Sequence, residues 1–260
     1  MLKIEPTKRF SSRAENYRRA RPSYPKEIIS IVKEQCGLTS AARIADVGSG
    51  TGIFTRLLVG NGNHVFGVEP NPEMRRAGEK YLSAYANFVS VAGSAEDTTL
   101  PDHAVDLITI ANAAHWFERE KSLREFQRIL TREGFLVLIE NHRRLQGSEF
   151  GCAYEQLVRD YGTDYSEVQR RGKSAQGNAF FAPFRCEKRA LSKYQDLDYA
   201  HLEARLLSSS FVPQPGDEHF AVMLAELRRI FDKYQQDGRV RMEHDINVYI
   251  GRISEQQQAS

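Results

Sequence analysis

Ile44–Thr55 has the sequence IADVGSGTGIFT, in which a short apolar run is followed by glycines at alternate positions. These glycines are Gly48, Gly50 and Gly52, and a helical pattern of apolar residues continues after them. Glycine allows a sharp turn and a close approach of the backbone to a ligand, and the N–H groups at a helix N-terminus attract anions. The pattern therefore predicts a strand, a tight loop and a helix that hold a nucleotide or a similar ligand.

A carboxylate at the end of the next predicted strand supports this interpretation. Glu69 directly follows the apolar segment 64–68. A carboxylate in that place can accept hydrogen bonds from both hydroxyls of an adenosine ribose. We expect the glycine loop and Glu69 to form a nucleotide site at the carboxyl ends of the first two strands, and we expect Asp46 to order the loop through hydrogen bonds.

The sequence around this site alternates short β-branched segments with amphipathic segments from residue 42 to residue 140. This alternation is typical of a parallel sheet with helices on both faces. Five strands are predicted in it, at 43–47, 64–68, 88–92, 105–111 and 135–140. Two further strands, at 185–194 and 240–250, are expected to pair with each other and close the sheet.

Two of the predicted helices carry clear end signals. One is expected over 71–85, because Asn71 suits the N-cap and Pro72 suits the first helical turn. The other is expected over 117–131, and Gly134 is predicted to terminate it. We accordingly divide the chain into five segments. They are a helical arm (1–41), a cofactor-binding core (42–142), an inserted substrate cap (143–183), a C-terminal completion of the sheet (184–253) and a disordered tail (254–260).

The composition excludes several classes of protein. The chain has 36 Lys and Arg residues against 34 Asp and Glu residues, so it lacks the strong basic field of a dedicated nucleic-acid binder. Its three cysteines form no C-x-x-C pair, and we expect neither a disulfide framework nor a bound metal. A charged N-terminus and short apolar runs predict a cytoplasmic protein that is not secreted and does not cross a membrane.

The spacing of the glycines separates two classes of cofactor. The dinucleotide fingerprint G-x-G-x-x-G requires a glycine where this chain has Ile53. The chain instead has D-x-G-x-G-x-G from Asp46 onward, with the acidic Glu69 at the end of the second strand. In this pattern it resembles the class I S-adenosylmethionine-dependent methyltransferases. The resemblance implies S-adenosyl-L-methionine as cofactor and an α/β, Rossmann-like, seven-stranded, mostly parallel sheet with helices on both faces.

Later segments follow the order of the same family. Residues 93–96 are Gly-Ser-Ala-Glu where the family has Gly-Asp-Ala-Glu, a turn that holds adenine in relatives. The segment VDLITIANAAHWF at 105–117 is similar to the family's fourth-strand motif. The cofactor-binding residues that this resemblance implies are Tyr17, Asp46, Gly48, Ser49, Gly50, Gly52, Glu69, Pro70, Ser94, Ala95 and Asn112.

Further segments are similar to the small-molecule branch of this superfamily that holds the trans-aconitate methyltransferase-like, type 11 enzymes. They are FSSRAENYRRARPSYP, AAHWF, LLSSSFVPQPGD and DGRVRMEHDINVYIGR, at 10–25, 113–117, 206–217 and 237–252. In that branch the N-terminal arm folds over the cofactor. This implies that Tyr17 and Arg21 contact the methionine part of the cofactor or an acid group of the substrate, and it favours O-methylation of a carboxylate.

The candidate catalytic residues depend on the acceptor. Transfer from a sulfonium requires mainly placement, because the leaving group is already activated. His115 is either a general base or a residue that lines the pocket. A carboxylate acceptor needs no base, and Arg21 would then orient the acid. Trp116 offers a π face to the sulfonium, whereas Tyr154 and Phe181 either line the substrate pocket or pack within the inserted segment.

Other substrates and functions are weighed against this one. Asn112–His115 is Asn-Ala-Ala-His, without the prolines of the base amino-methyltransferases, and no cysteine follows a proline as in the cytosine C5 enzymes. We expect a small-molecule substrate, neither a nucleic-acid nor a membrane partner, and a monomer or homodimer. The alternatives that stay open are an NAD-dependent oxidoreductase and a catalytically idle S-adenosylmethionine-binding interaction protein.

Overall fold

A seven-stranded sheet organises the residues that the structure, a computed structural model, describes: 23–163, 165, 177–209 and 211–254. The strands are Arg43–Val47 (β1), His64–Val68 (β2), Phe88–Val91 (β3), Val105–Ala111 (β4), Leu130–Arg143 (β5), Glu187–Leu197 (β6) and Val240–Gly251 (β7). Their order is β3-β2-β1-β4-β5-β7-β6, with β1 to β5 parallel and β7 antiparallel to β5 and β6. The predicted Rossmann-like, mostly parallel sheet is confirmed, as is the pairing of the last two strands.

Helices connect most of these strands. They are Glu27–Cys36 (α1), Thr55–Gly60 (α2), Pro72–Leu82 (α3), Arg119–Ile129 (α4), Glu149–Tyr161 (α5), Gly177–Phe181 (α6), Tyr199–Leu207 (α7) and Phe220–Tyr234 (α8). Asn71 is the N-cap of α3, as predicted, because its side-chain oxygen accepts hydrogen bonds from the N–H groups of Glu73 and Met74. Within the described ranges, no helix combines the length and the apolar character that a membrane span requires.

Apolar side chains cover both faces of the central strands. Ile44 of β1 and Leu107 of β4 pack in one cluster with side chains of α1, α2 and α3. Their neighbours Ala45 and Ile108 pack in the opposite cluster with side chains of α4 and α6. Since both faces are occupied, polar groups that serve a ligand are placed at the strand ends.

A third apolar cluster joins α5, α7 and α8 with parts of β6 and β7. In it, Tyr154 and Leu157 of α5 pack with Leu206 of α7 and Leu227 of α8. The segment predicted as an inserted cap therefore shares its core with helices of the C-terminal segment. Residues 1–22 of the predicted arm lie outside the described residues, as do 255–260 of the predicted tail, and α1 packs on the sheet.

The predicted end of the helix before β5 is wrong. Helix α4 ends at Ile129, and β5 begins at once with Leu130, whose backbone is extended with φ −72° and ψ 140°. Leu130 pairs in register with Val105 of β4, and this pairing outweighs the glycine signal at Gly134. Gly134 lies inside the strand, where a Cβ would lie 2.7 Å from Cδ2 of Leu130.

Candidate active site

A cavity of about 370 Å³ is lined by residues that follow β1, β2, β3 and β4 and by the last residues of β5. Ligands of open α/β sheets bind outside the carboxyl ends of the parallel strands, so the cavity lies where the fold favours a site. Ten of the predicted site residues line it: Asp46, Gly48, Ser49, Gly50, Glu69, Pro70, Ser94, Ala95, Asn112 and Trp116.

The glycine loop after β1 is held against the end of β2. The N–H groups of Gly48 and Ser49 both donate to the carbonyl oxygen of Val68, at 2.9 and 3.1 Å. The N–H of Gly50 donates to Oε2 of Glu69 at 2.9 Å. These three bonds fix the loop beside the second strand, and they bring its backbone and the Glu69 carboxylate to one wall of the cavity.

Glycine is required in this loop for two different reasons. Gly48 has φ +70°, and a Cβ there would lie 2.6 Å from the Cβ of Ala113, so a side chain would collide with the segment after β4. Gly50 has φ +56°, and a Cβ there would meet only the flexible end of Met74, at 3.3 Å. Left-handed backbone disfavours other residues at both positions, but only Gly48 is also enclosed by the fold.

Glu69 is buried and uses both carboxylate oxygens. Oε2 accepts from Gly50, and Oε1 accepts from the N–H of Asn71 at 2.8 Å. Burial raises the pKa of Glu69, while the two N–H donors and the nearby Arg75 lower it and so favour the charged form. A carboxylate oxygen has two lone pairs, so each oxygen can accept one further hydrogen bond from a ligand.

Asp46 lies beneath the loop and is 1% exposed. Its two oxygens accept hydrogen bonds from the hydroxyls of Thr55 and Thr109, at 2.6 and 2.9 Å. Burial raises the pKa of Asp46 to about 6, against the two hydrogen bonds, which lower it. The contacts join the end of β1 to α2 and β4.

The turn after β3 is held by Ser94. Its hydroxyl oxygen accepts the N–H groups of Glu96 and Asp97, each at 3.2 Å. Ser94 thereby stabilises the turn. Its own O–H group can donate a hydrogen bond to a ligand in the cavity.

Asn112 links three parts of the cavity wall. It has φ +56°, its side-chain nitrogen donates to the Tyr24 hydroxyl at 2.9 Å, and its side-chain oxygen accepts the N–H of Asn141 at 2.8 Å. The end of β4 is thus joined to β5 and to the segment before α1. Asn112 thus fixes this wall, and its amide keeps one N–H and one oxygen lone pair for a ligand.

The remaining predicted site residues fall into two groups. Tyr17 and Arg21 lie outside the described residues, so their predicted roles stay predictions. Four others are described but do not line the cavity: Gly52, His115, Tyr154 and Phe181.

The fold gives a physical reason why each of these four residues does not line the cavity. A Cβ at Gly52 would lie 2.8 Å from Cδ1 of Leu82, so this glycine serves the packing of the loop on α3. His115 stacks at a tilt against Trp116, with 4.8 Å between ring centroids, and only Trp116 reaches the cavity. Tyr154 and Phe181 are 1% and 0% exposed and belong to two apolar clusters.

Several polar residues of the cavity were missed by sequence reasoning. They are Thr51, Asn141, Arg143, Arg205 and His244. Asn141 and Arg143 could have been found, because they stand at the carboxyl end of a predicted parallel strand. Arg205 and His244 carry no such signal, since they come from α7 and β7 and reach the cavity only through the pairing of β5 with β7.

Comparisons with known proteins find similarity to methyltransferases. Residues 45–138 match the family model described as a methyltransferase domain. An uncharacterized methyltransferase of Mycobacterium tuberculosis is 37% identical over 134 residues, which are 52% of each chain. An uncharacterized methyltransferase-like protein of Schizosaccharomyces pombe is 33% identical over 137 residues, again 52% of each. The chain thus spans about half the length of the curated relatives it matches.

A solved structure extends the likeness in fold beyond this domain. It is a candidate Type II methyltransferase from Anaeromyxobacter dehalogenans, with a TM-score of 0.61 over 90% of this chain and 98% of that one. Its sequence identity is only 19%, so the likeness concerns the fold alone. Residues 45–138 therefore match a methyltransferase domain in sequence, and the likeness in fold extends beyond them.

Proposed function

We propose that this chain, with a methyltransferase domain at 45–138, transfers the methyl group of S-adenosyl-L-methionine to a small-molecule acceptor. The hydrogen bond from Gly50 to Glu69 carries the proposal, because it joins a glycine loop to a carboxylate at the ends of neighbouring parallel strands. That arrangement supports recognition of an adenosine ribose.

The residues present fit an adenosyl group. Gly50 leaves the cavity side of the loop open apart from the tip of Met74. Glu69 would accept the ribose hydroxyls with its remaining lone pairs. The buried hydroxyl oxygen of Thr51 lines the cavity and has no hydrogen-bond partner among the described residues, so a ligand would satisfy it. The Ser94 hydroxyl would donate to a ring nitrogen of adenine.

When bound, S-adenosyl-L-methionine supplies a methyl group on a positively charged sulfur that is already a good leaving group. The chain's own task is placement, which supplies on the order of 7 to 11 kcal/mol in well-oriented reactions. The Trp116 ring would offer a π face to a positive charge in the cavity. The Asn112 bridge between β4, β5 and Tyr24 would keep the acceptor side of the wall fixed.

We further propose a carboxylate as the methyl acceptor. A carboxylate is ionised at neutral pH and needs no general base, and His115, the candidate base, does not line the cavity. The arginines of the cavity wall supply the positive charge that an acid requires. The resemblance to the small-molecule branch supports the same class of acceptor.

Calorimetric titration tests the cofactor directly. S-Adenosyl-L-methionine, S-adenosyl-L-homocysteine and NAD are titrated in parallel into the purified chain. We expect micromolar affinity for the two adenosyl amino acids and no heat from NAD. Binding of NAD alone would make the chain a dehydrogenase and overturn the proposal, and absence of all binding would favour an idle interaction protein. The acceptor is then sought by following S-adenosyl-L-homocysteine formation with carboxylic acids, amines and phenols.

A further inference from the structure

The charges of the cavity wall are divided between its two ends. Three acidic residues, Asp46, Glu69 and Glu96, follow or end β1, β2 and β3. Two arginines, Arg143 and Arg205, come from the end of β5 and from α7. The cavity is therefore acidic where the cofactor is proposed to bind and basic at its other end.

Arg143 is held in place by two contacts. Its guanidinium lies over the ring of Tyr154, 4.6 Å from the centroid, and Nη2 lies 3.4 Å from Oε2 of Glu155. Oε1 of the same Glu155 carboxylate lies 3.4 Å from Nε of Arg159 and accepts a hydrogen bond from the hydroxyl of Tyr165. One carboxylate thus serves two guanidinium groups, so it does not cancel the charge that Arg143 brings to the cavity.

Arg205 is 8% exposed, and its guanidinium contacts Gln195 and His244. Nη1 donates to the amide oxygen of Gln195 at 3.3 Å, and Nη2 lies 3.3 Å from Nε2 of His244. An arginine can only donate, so Nε2 of His244 is the acceptor in this contact. The guanidinium keeps its full charge at the cavity wall, because arginine stays protonated in proteins.

Strand pairing brings the two arginines to the same place. Arg143 of β5 is directly opposite His244 of β7 in the antiparallel register, and Arg205 contacts the imidazole of that histidine. Directly opposed residues have Cβ atoms about 4.5 to 5.5 Å apart on one face of a sheet. Both arginines therefore neighbour His244, and both line the cavity.

The basic end is separated from the cofactor end by the width of the sheet. Glu69 follows β2 and Arg143 ends β5, with β1 and β4 between them. At roughly 4.8 Å between neighbouring strands, three steps give about 14 Å. A cofactor held by Gly50 and Glu69 would extend over β1 toward β4 and would leave the β5 side for the acceptor.

We propose that Arg143 and Arg205 form the subsite that binds a carboxylate group of the methyl acceptor. The inference rests on the proposed function, of which it specifies the substrate end. Guanidinium groups match carboxylates in charge and in planar hydrogen-bonding geometry, and they repel ammonium groups. The subsite selects small organic acids over amines and neutral alcohols of the same size.

Binding of small acids and their amides tests this subsite. Acetate, benzoate, succinate and glutarate are each compared with the matching neutral amide by ligand-observed NMR, with and without saturating S-adenosyl-L-homocysteine. We expect at least one acid to bind the unchanged chain at least tenfold more tightly than its amide. Arg143→Met and Arg205→Met should each remove at least tenfold of that affinity, and Arg143→Lys should restore part of it.

Arg159→Met is the matched control. Arg159 contacts the same Glu155 carboxylate at the same distance as Arg143, but it is half exposed and does not line the cavity. We expect this variant to bind the acids within twofold of the unchanged chain. Equal losses in Arg143→Met and Arg159→Met would overturn the subsite, since they would indicate a structural effect through Glu155.

If a variant fails to fold, the comparison of acids with amides on the unchanged chain still tests the subsite. No preference for any acid over its amide, with or without S-adenosyl-L-homocysteine, would overturn the subsite. Failure of S-adenosyl-L-homocysteine to bind would instead overturn the proposed function, and the titrations without it would still report on the arginines. The two failures are therefore distinguishable.

Discussion

The backbone N–H of Gly50 donates to Oε2 of Glu69 at 2.9 Å, and this bond ties the loop after β1 to the end of β2. Oε1 of the same carboxylate accepts the N–H of Asn71, the N-cap of α3. One buried side chain thus joins three pieces of backbone at the cavity wall. Its two oxygens still have lone pairs for a ligand, so the bonds that shape the loop also fix the orientation of the carboxylate that would bind the ribose.

Glu69→Gln should weaken the affinity for S-adenosyl-L-methionine by at least tenfold. The amide loses the negative charge, and its NH2 group cannot accept the hydrogen bond that one carboxylate oxygen now accepts; hydrogen bonds to charged groups contribute about 1.5 to 3 kcal/mol. Calorimetric titration measures the effect. Glu73→Gln, an exposed carboxylate in the first turn of α3, is the control and should leave the affinity unchanged. Equal affinities of both variants and the unchanged chain would remove Glu69 from the site.

Gly50→Ala should abolish cofactor binding at a modest cost in stability. Gly37, which ends α1, has a similar left-handed backbone with φ +63° and no atom within 4 Å of an added Cβ. Gly37→Ala therefore carries the same backbone strain, on the order of 1 to 2 kcal/mol, without touching the cavity. We expect similar unfolding midpoints for the two variants and a loss of affinity only in Gly50→Ala. An unchanged affinity for the cofactor in both variants would show that the loop does not approach the cofactor.

The parts of the site that the sequence predicts are those built from neighbouring segments. Asp46, the glycine loop and Glu69 follow consecutive strands, and parallel pairing brings the ends of such strands together. Their order along the chain is therefore sufficient to place them at one edge of the sheet.

The basic end of the cavity could not be predicted in the same way. Arg143, Arg205 and His244 meet because β7 pairs antiparallel with β5 and because α7 packs beside them. These are contacts across about 100 and 40 residues of chain, and nothing in the local pattern specifies them. Gly134 shows the same limitation in the fold: a glycine suited to end a helix lies in a strand because Leu130 pairs with β4.

His115→Gln should leave methyl transfer nearly unchanged. The side chain does not line the cavity, and a carboxylate acceptor has no proton to lose. The test is the initial rate of S-adenosyl-L-homocysteine formation between pH 6 and 9, with an acid found in the binding experiments. We expect rates within about threefold of the unchanged chain and the same pH profile. A rate that falls a hundredfold, with the neutral-pH limb of the profile lost, would identify His115 as a general base.

Asp46→Asn should increase the free energy of unfolding above pH 6. Burial raises the pKa of Asp46 to about 6 in the folded chain, above the value near 3.9 expected of an unfolded aspartate. Between these values the unfolded chain is ionised while the folded chain keeps its proton, so stability falls as the pH rises through this window. The asparagine does not titrate, and its amide can still bond to the hydroxyls of Thr55 and Thr109.

The measurement is the difference in unfolding free energy between Asp46→Asn and the unchanged chain, obtained by urea titration from pH 4 to pH 8. We expect this difference to grow with pH by about 2 kcal/mol between pH 4 and 6.5 and then to change little, since two pKa units correspond to about 3 kcal/mol in all and part of that change falls below pH 4. A difference that is flat over this range would contradict the raised pKa. A difference that shrinks with pH would show that the hydrogen bonds from Thr55 and Thr109 outweigh burial and favour the charged form.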